Sequence, residues 1–154
     1  MPASGAPAMC LIRPCTSVDT ASCATILALA GRDSFGPVAD SGVFRRATQD
    51  EQILVAECGG KVVGFAAVHT GDAPEHFLHH LYVHPAHGGQ GVGARLLAAV
   101  VARFGPPLSL KTQLANTRAR RFYARAGWVE DHGDCGVDAI GAWIRIRCQP
   151  PQGE

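Results

Sequence analysis

A glycine-rich loop that runs directly into an apolar helical segment constrains this chain more than any other feature. The stretch HPAHGGQGVGARLL, residues 84–97, places four glycines within six residues. Glycine loses more conformational entropy on folding than other residues, so a compensating gain is expected. The usual gain is close approach of backbone N–H groups to a phosphate at the start of a helix. The stretch therefore predicts a phosphate-binding loop, with a glycine-rich surface turn as the alternative.

The residues after this loop have the periodicity of a helix with one buried face. Its apolar stripe consists of Val92, Leu96, Val100 and Phe104. Pro106 and Pro107 then stop the helix. Residues 108–114 alternate between apolar and polar, which predicts a strand with one buried face. Asn116 is a favourable N-cap for a further helix that ends at Gly127.

Strand and turn signals dominate the part of the chain before the loop. Two β-rich runs, 53–58 and 61–69, flank the Gly-Gly pair at 59–60. This is the preferred chemistry for a tight hairpin. A second turn over 71–75 leads to a third strand over 77–83.

The two ends of the chain carry weaker signals. A short strand begins at Leu11, and Asp19 is positioned to cap a helix that ends near Ala30. Residues 31–50 mix Gly, Pro, Ser and charged residues, which indicates a loop with some irregular helix. The last strands are predicted at residues 128–129 and 139–148.

The composition is that of a folded protein with one core. The chain has 154 residues, of which 47% are hydrophobic and 18% charged, and this length suits a single domain. A net charge of +1 gives no reason to expect a nucleic-acid partner, and no apolar run is long enough to cross a membrane. We expect one α/β domain over 10–148, between a flexible leader, 1–9, and a flexible tail, 149–154.

The cysteines and histidines do not follow a metal-binding pattern. The six cysteines are scattered without a C-x-x-C pair, and the N-terminus lacks a secretory signal, so we expect a cytoplasmic protein with reduced cysteines. Five of the seven histidines lie within residues 76–87, but no H-E-x-x-H motif is present. No metal site is predicted.

Two familiar phosphate loops do not fit the glycines. Gly88 and Gly93 have P-loop spacing, but Ala94 and Arg95 stand where Lys and Ser or Thr are required. The dinucleotide fingerprint matches at the glycines and Ala94, yet residues 105–115 contain no acidic residue for the ribose.

A third type fits far better. Residues 81–97 resemble the acetyl-CoA signature of the GNAT superfamily of N-acetyltransferases: a strand ending in L-Y-V-H-P, a [QR]-x-x-G-x-[GA] loop, and a helix. Residues 116–128 resemble the N-x-x-A-x-x-F-Y-x-x-x-G-[FW] helix of the same superfamily. The resemblance extends over 11–129. It implies an α/β fold of the GNAT type, with a mixed central sheet, a splayed parallel pair of strands and helices on both faces.

The resemblance implies which residues would hold acetyl-CoA as cosubstrate. The strand residues would offer backbone groups to the pantetheine arm, and the glycine loop would wrap the pyrophosphate. These residues are Leu81, Tyr82, Val83, Gly88, Gly89, Gln90, Gly91, Val92, Gly93 and Asn116. One departure is that Gly88 occupies the Gln/Arg position of the signature. Backbone N–H groups and the helix dipole remain available, so we expect binding to persist, weakened by about 1 kcal/mol if one charge-assisted contact is lost.

Two catalytic residues are predicted. Tyr123, two helical turns after Asn116, corresponds to the tyrosine that in relatives contacts the cofactor and protonates the leaving thiolate; a core tyrosine is the alternative. The attacking amine needs a base, and His79 is favoured because imidazole has a suitable pKa and because period-two alternation puts it on one face with Leu81 and Val83, opposite His80. Glu75 and bulk water remain alternatives.

The resemblance predicts an enzyme that moves an acetyl group from acetyl-CoA to an amine of a small molecule or peptide by direct attack. The alternative is a catalytically weak CoA-binding sensor or regulatory module of the same fold. No signature names the acceptor, although four carboxylates could attract a cationic amine: Asp33, Asp40, Asp50 and Glu51. The arginines Arg118, Arg121 and Arg125 are expected to form a solvated face. A homodimer is left open.

Overall fold

The computed structural model describes residues 9–31, 36, 38–71 and 75–150. Most of the predicted leader and tail, and the middle of the predicted turn over 71–75, therefore lie outside the described residues. The elements, in chain order, are β1 (Cys10–Pro14), α1 (Thr20–Ala30), α2 (Ser41–Ala47), β2 (Gln52–Cys58), β3 (Lys61–His69), β4 (His76–Val83), α3 (Val92–Phe104), β5 (Leu108–Gln113), α4 (Thr117–Arg125), β6 (Val129–Val137) and β7 (Ala142–Cys148). Short 3-10 turns at Ser17–Asp19 and Pro85–His87 precede α1 and the glycine loop.

The strands form one mixed sheet in the order β1-β2-β3-β4-β5-β7-β6. Every neighbouring pair is antiparallel except β4 and β5, which are parallel. That parallel pair is joined at two register positions alone, His76 opposite Leu108 and Phe77 opposite Ser109. The predicted mixed sheet with a splayed parallel pair is confirmed.

Helices cover both faces of the sheet, as predicted. On one face, Ile26 and Leu27 of α1 and Phe44 of α2 pack against Val55 and Phe65. On the other face, the stripe of α3 packs against β2–β4, and Leu96 and Val100 are completely buried. Burying a side chain of this size contributes roughly 1.5–3 kcal/mol, so the two faces together hold the sheet. Within the described residues, no helix has the length and hydropathy of a membrane span.

Three local predictions differ from the structure. Asp19 does not cap α1 with its side chain; its carboxylate accepts from the Thr16 backbone N–H at 2.8 Å and pairs with Arg13 at 2.8 Å. The described part of 31–50 contains a regular helix, α2, which begins at Ser41. Its N-cap is Asp40, whose side chain accepts from Gly42 N at 2.6 Å. β6 is nine residues long, whereas the sequence predicts two. Hydrogen bonds with β7 extend the strand, although its polar sequence has no strand pattern.

A disulfide joins Cys10 and Cys58. The two residues stand opposite each other in the β1–β2 register, with Cα atoms 4.1 Å apart. The prediction that all six cysteines are reduced is therefore wrong at this pair, because strand register brings together two residues 48 positions apart. The remaining cysteines are free: Cys15, Cys23, Cys135 and Cys148.

We expect the Cys10–Cys58 disulfide to contribute measurably to the free energy of unfolding. Replacing both Cys10 and Cys58 by Ala should lower the free energy of unfolding by about 2–4 kcal/mol, because the unfolded chain loses a cross-link across a long loop. Urea denaturation without reductant measures the change, and Cys135→Ala, at an exposed free thiol, is the matched control. An unchanged urea midpoint when reductant is added to the unmodified chain would contradict the prediction.

Candidate active site

The wedge between β4 and β5 is the framework of the site. Beyond Phe77 and Ser109 the two strands no longer share register positions, while β4 stays paired to β3 as far as Val83. The β4 edge over residues 78–83 therefore faces the opening with peptide groups that β5 does not bond. Such groups need a partner, and an extended ligand placed in the wedge would supply one.

The glycine loop lies at the end of β4 and turns the chain into α3. Gly89 and Gly91 have φ of 76° and 80°, a left-handed conformation that costs glycine little and other residues more. Gly91 is the N-cap of α3, and the first bond along the helix runs from Arg95 N to Gly91 O at 3.1 Å. The N–H groups of the first turn of α3 have no partner within the helix and point out of its N-terminus, towards the exposed glycine loop.

Gly93 and Gly88, unlike Gly89 and Gly91, do not have positive φ. A Cβ on Gly93 would lie 3.5 Å from the Phe122 ring and 3.7 Å from Val83 Cγ2, which is ordinary van der Waals contact, so an alanine would fit there without displacing α4 or β4. Gly88 has φ −65° and ψ 148°, which any residue adopts, and a Cβ there meets only Pro85 O at 3.4 Å. The backbone thus accommodates a longer side chain at Gly88.

A cavity of about 800 Å³ opens on the α1 side of the wedge. Its wall combines the end of α1, β4, β5 and the β6–β7 connection. Its lining includes His79, His80, Tyr82, Lys111, Asn116 and Trp143. The ammonium of Lys111 lies 4.3 Å from the centre of the Trp143 ring, so the wall carries both aromatic surface and a positive charge.

A β-bulge in β4 places two histidines on the same side of the sheet. Ala67 of β3 pairs with His80 and Val68 with Leu78, so His79 is the extra residue. The His79 and His80 rings are 3.9 Å apart. The prediction that they point to opposite faces, with His79 beside Leu81 and Val83, is wrong because the bulge interrupts the period-two alternation.

Glu51 is hydrogen-bonded to His79 and is more deeply buried than the histidine. Its Oε2 accepts from His79 Nδ1 at 2.6 Å, and its side chain is 5% exposed whereas that of His79 is 45% exposed. With Nδ1 donating to the carboxylate, the lone pair of a neutral His79 lies on Nε2. His80 is buried and donates from Nε2 to Ala47 O at 2.8 Å; burial, with the neighbouring His79, lowers the pKa of His80.

The residue immediately before Glu51 has an unusual backbone conformation. Asp50 has φ 63°, a left-handed conformation that among non-glycine residues Asp and Asn tolerate best. This residue turns the chain between α2 and β2. Strained positions of this kind persist where the surrounding structure fixes them, frequently at functional sites.

Tyr123 lies on the opposite face of the sheet from the histidines. It is 9% exposed, belongs to the core that includes α3, and packs against Phe122 and Trp128 at ring distances of 5.0 and 5.8 Å. Burial, and to a smaller extent the nearby Tyr82, raises the pKa of Tyr123. Its hydroxyl therefore stays protonated at neutral pH and acts as a hydrogen-bond donor.

The sequence of the chain matches a known protein family. The sequence profile of the acetyltransferase (GNAT) family matches residues 24–128, which is more than half of the chain. The chain belongs to the GNAT family.

Two solved GNAT-type structures share its fold. The ribosomal-protein-S18-alanine N-acetyltransferase of Escherichia coli has a TM-score of 0.74 and 19% identity, covering 94% of this chain and 97% of its own. A GNAT family acetyltransferase of Elizabethkingia anophelis, solved with acetyl-CoA bound, has a TM-score of 0.68 and 15% identity, covering 92% and 98%. At these identities the likeness concerns the fold.

A curated relative matches part of the chain more strongly. The uncharacterized N-acetyltransferase Rv2669 of Mycobacterium tuberculosis is 36% identical over 80 residues, which cover 49% of this chain and 51% of that protein. The chain thus spans about half the length of this relative.

The GNAT fold brings together some of the predicted residues and separates others. His79 and Asn116 line the same cavity, and Asn116 also caps α4, accepting from Ala119 N at 3.1 Å. Tyr123 lies across the sheet. Glu75, the alternative base, is engaged by an ion pair with Arg147. The predicted solvated arginines of α4 are all exposed.

Sequence reasoning missed Glu51 as a partner of His79. The two residues are 28 positions apart, and no local motif connects a carboxylate before β2 with a histidine in β4. The position of His80 beside His79 was missed for a different reason, since the bulge in β4 cannot be recognised from the hydrophobic pattern.

Proposed function

We propose that this GNAT protein transfers an acetyl group from acetyl-CoA to an amine by direct attack, without a covalent enzyme intermediate. The observation that carries the proposal is the wedge with a carboxylate-held histidine on one side and a buried tyrosine on the other. An acyl carbon in the wedge would be open to an amine from the cavity, while its thiolate would leave towards the α3–α4 face. The acetyl-CoA bound in the Elizabethkingia anophelis relative supports the choice of cosubstrate.

The cofactor would be held mainly by backbone. Leu81, Tyr82 and Val83 offer the unpaired edge of β4 to the amide groups of the pantetheine arm, as an added strand would. The loop from Gly88 through Gly89, Gln90, Gly91 and Val92 to Gly93 offers N–H groups and the positive end of the α3 dipole to the pyrophosphate. Asn116, at the cavity wall, would contact the arm where it leaves the wedge.

His79 would be the general base. An alkylamine is almost wholly protonated at neutral pH and attacks only as the free base, so a proton acceptor at the cavity is needed. Glu51 is the positioning residue: it fixes the His79 ring so that Nε2 receives the proton as the N–C bond forms. The carboxylate also stabilises the imidazolium that results.

Tyr123 would assist the leaving group. As the C–S bond breaks, negative charge develops on sulfur, and a donor placed there stabilises the transition state. Because the pKa of Tyr123 is raised, its main contribution is a hydrogen bond to the thiolate, with the proton supplied from solvent after release.

The acceptor is an amine of a small molecule or a peptide. The cavity gives it an aromatic wall at Tyr82 and Trp143 beside the charge of Lys111. A catalytically weak CoA-binding module remains the second candidate, favoured by the missing Gln/Arg side chain at Gly88.

The glycine loop can be tested by cofactor binding. Gly88→Arg should tighten acetyl-CoA binding by about fivefold, because the backbone accepts the side chain and one charge-assisted contact adds about 1 kcal/mol. Gly91→Ala should weaken binding by about tenfold, because its left-handed φ is strained for alanine. Calorimetric titration measures both. Gly60→Ala, strained in the same way in the β2–β3 turn (φ 81°), should leave the dissociation constant unchanged, and an equal loss there would refute the loop assignment.

Tyr123 can be tested against the other tyrosine of the chain. Tyr123→Phe should lower kcat by about 10²-fold, as expected for loss of a proton or hydrogen-bond donor in the transition state, while acetyl-CoA still binds. Tyr82→Phe, the matched control, should retain kcat within a few-fold. Free thiol release in an amine screen is the readout. Wild-type turnover in Tyr123→Phe would show the assignment to be wrong, and cofactor binding without turnover in the wild type would favour the sensor.

The base can be tested with amines of graded pKa. His79→Gln and Glu51→Gln should lower kcat/KM by about 10²-fold for strongly basic amines. The deficit should shrink for amines of lower pKa, which are already deprotonated at the assay pH. His132→Gln, at an exposed histidine (77%), should behave as wild type. A deficit independent of the amine pKa would argue against a base.

A further inference from the structure

Glu51, His79 and His80 form a three-residue donor cluster at the cavity. One carboxylate oxygen and one ring nitrogen from each histidine lie within 4.8 Å of one another. The side chains of Glu51 and His80 are 5% and 2% exposed, and His79 opens to the cavity. The bulge in β4 is what brings two consecutive imidazoles to the same carboxylate.

Only one of the two oxygens of the Glu51 carboxylate has a hydrogen-bond partner among the described residues. Oε2 is bonded to His79, but Oε1 is buried and has no hydrogen-bond partner among the residues that the structure describes. The closest nitrogen recorded for Oε1 is His80 Nε2, at 3.8 Å, and that atom donates to Ala47 O instead. A buried carboxylate is costly unless it is paired or coordinates a metal, so this oxygen points to a cation.

The hydrogen bond of His80 is the kind that prepares an imidazole as a ligand. Histidines that bind metals usually donate their other ring N–H to a carboxylate or a backbone carbonyl, which fixes the tautomer and the ring orientation. His80 donates Nε2–H to Ala47 O at 2.8 Å, and this leaves the lone pair on Nδ1.

We propose that Glu51, His79 and His80 bind a divalent transition-metal cation of the zinc class. Two imidazoles and a carboxylate are a donor set that zinc takes in sites with three protein ligands, where a fourth position stays open. The exposed side of His79 gives that open position to the cavity. The cation would bind the Glu51 carboxylate, including the unpartnered Oε1, and would take the place of the proton on His79 Nδ1, which would move to Nε2 of the same ring.

The cation site is independent of acetyl transfer, because binding requires neither cofactor nor amine. It has one consequence for the proposed activity: a bound cation would leave His79 Nε2 protonated and would remove the proposed base. Occupancy would therefore inhibit the enzyme at the concentrations at which the cation binds.

The test uses the full chain, freed of metal with a chelator and kept without CoA. Zn²⁺ is titrated by calorimetry, and Co²⁺ is added as a spectroscopic probe whose visible bands report coordination geometry. We expect one equivalent per chain with nitrogen and oxygen ligands. Glu51→Gln and His79→Gln should each weaken Zn²⁺ binding by about tenfold or more, with folding checked by circular dichroism. His132→Gln should not change it.

The outcomes separate cleanly. Binding that is lost in both variants and kept in His132→Gln supports the site. Absent binding, binding unchanged in Glu51→Gln and His79→Gln, or a thiolate-to-cobalt charge-transfer band that assigns the metal to free cysteines would each overturn it. Metal binding without acetyl transfer would defeat the proposed function while leaving the cation site intact, and acetyl transfer without metal binding would do the reverse.

Discussion

The short pairing between β4 and β5 is the constraint on which the site depends. Two register positions hold the parallel strands together. Beyond them, β4 and β5 are no longer hydrogen-bonded to each other, and helices pack on both faces of the sheet. Peptide groups at this edge of β4 are consequently not bonded by β5, and under the proposed function the pantetheine arm would bond them. In a sheet with a complete β4–β5 ladder, these groups would be satisfied internally and the wedge would close.

The wedge also explains why the proposed catalytic groups come from opposite faces. A reacting carbonyl held between two strands presents one side to α1 and the cavity, and the other to α3 and α4. His79 is on the first side and Tyr123 on the second. The amine would attack one face of the carbonyl, and the sulfur would leave from the tetrahedral intermediate along its own bond, so the base at the amine and the donor at the sulfur need not be neighbours.

Features carried by local chemistry were predictable from the sequence. The stripe of α3, the Asn116 cap and the positive φ of Gly127 follow from periodicity and from which residues tolerate helix ends. Features that depend on register were not. The Cys10–Cys58 bridge, the bulge at His79 and the Glu51–His79 bond each join distant residues or break a period, and hydrophobic patterning contains no information on either.

The buried carboxylate of Glu51 ties the two proposals together physically. Its burial strengthens its interaction with any positive partner, because water screens the charge poorly there. A proton on His79 and a divalent cation are two such partners for one oxygen pair, and they exclude each other at His79 Nδ1. Under the two proposals, the proton and the cation compete for His79, and this competition would set the balance between catalysis and inhibition at this cavity.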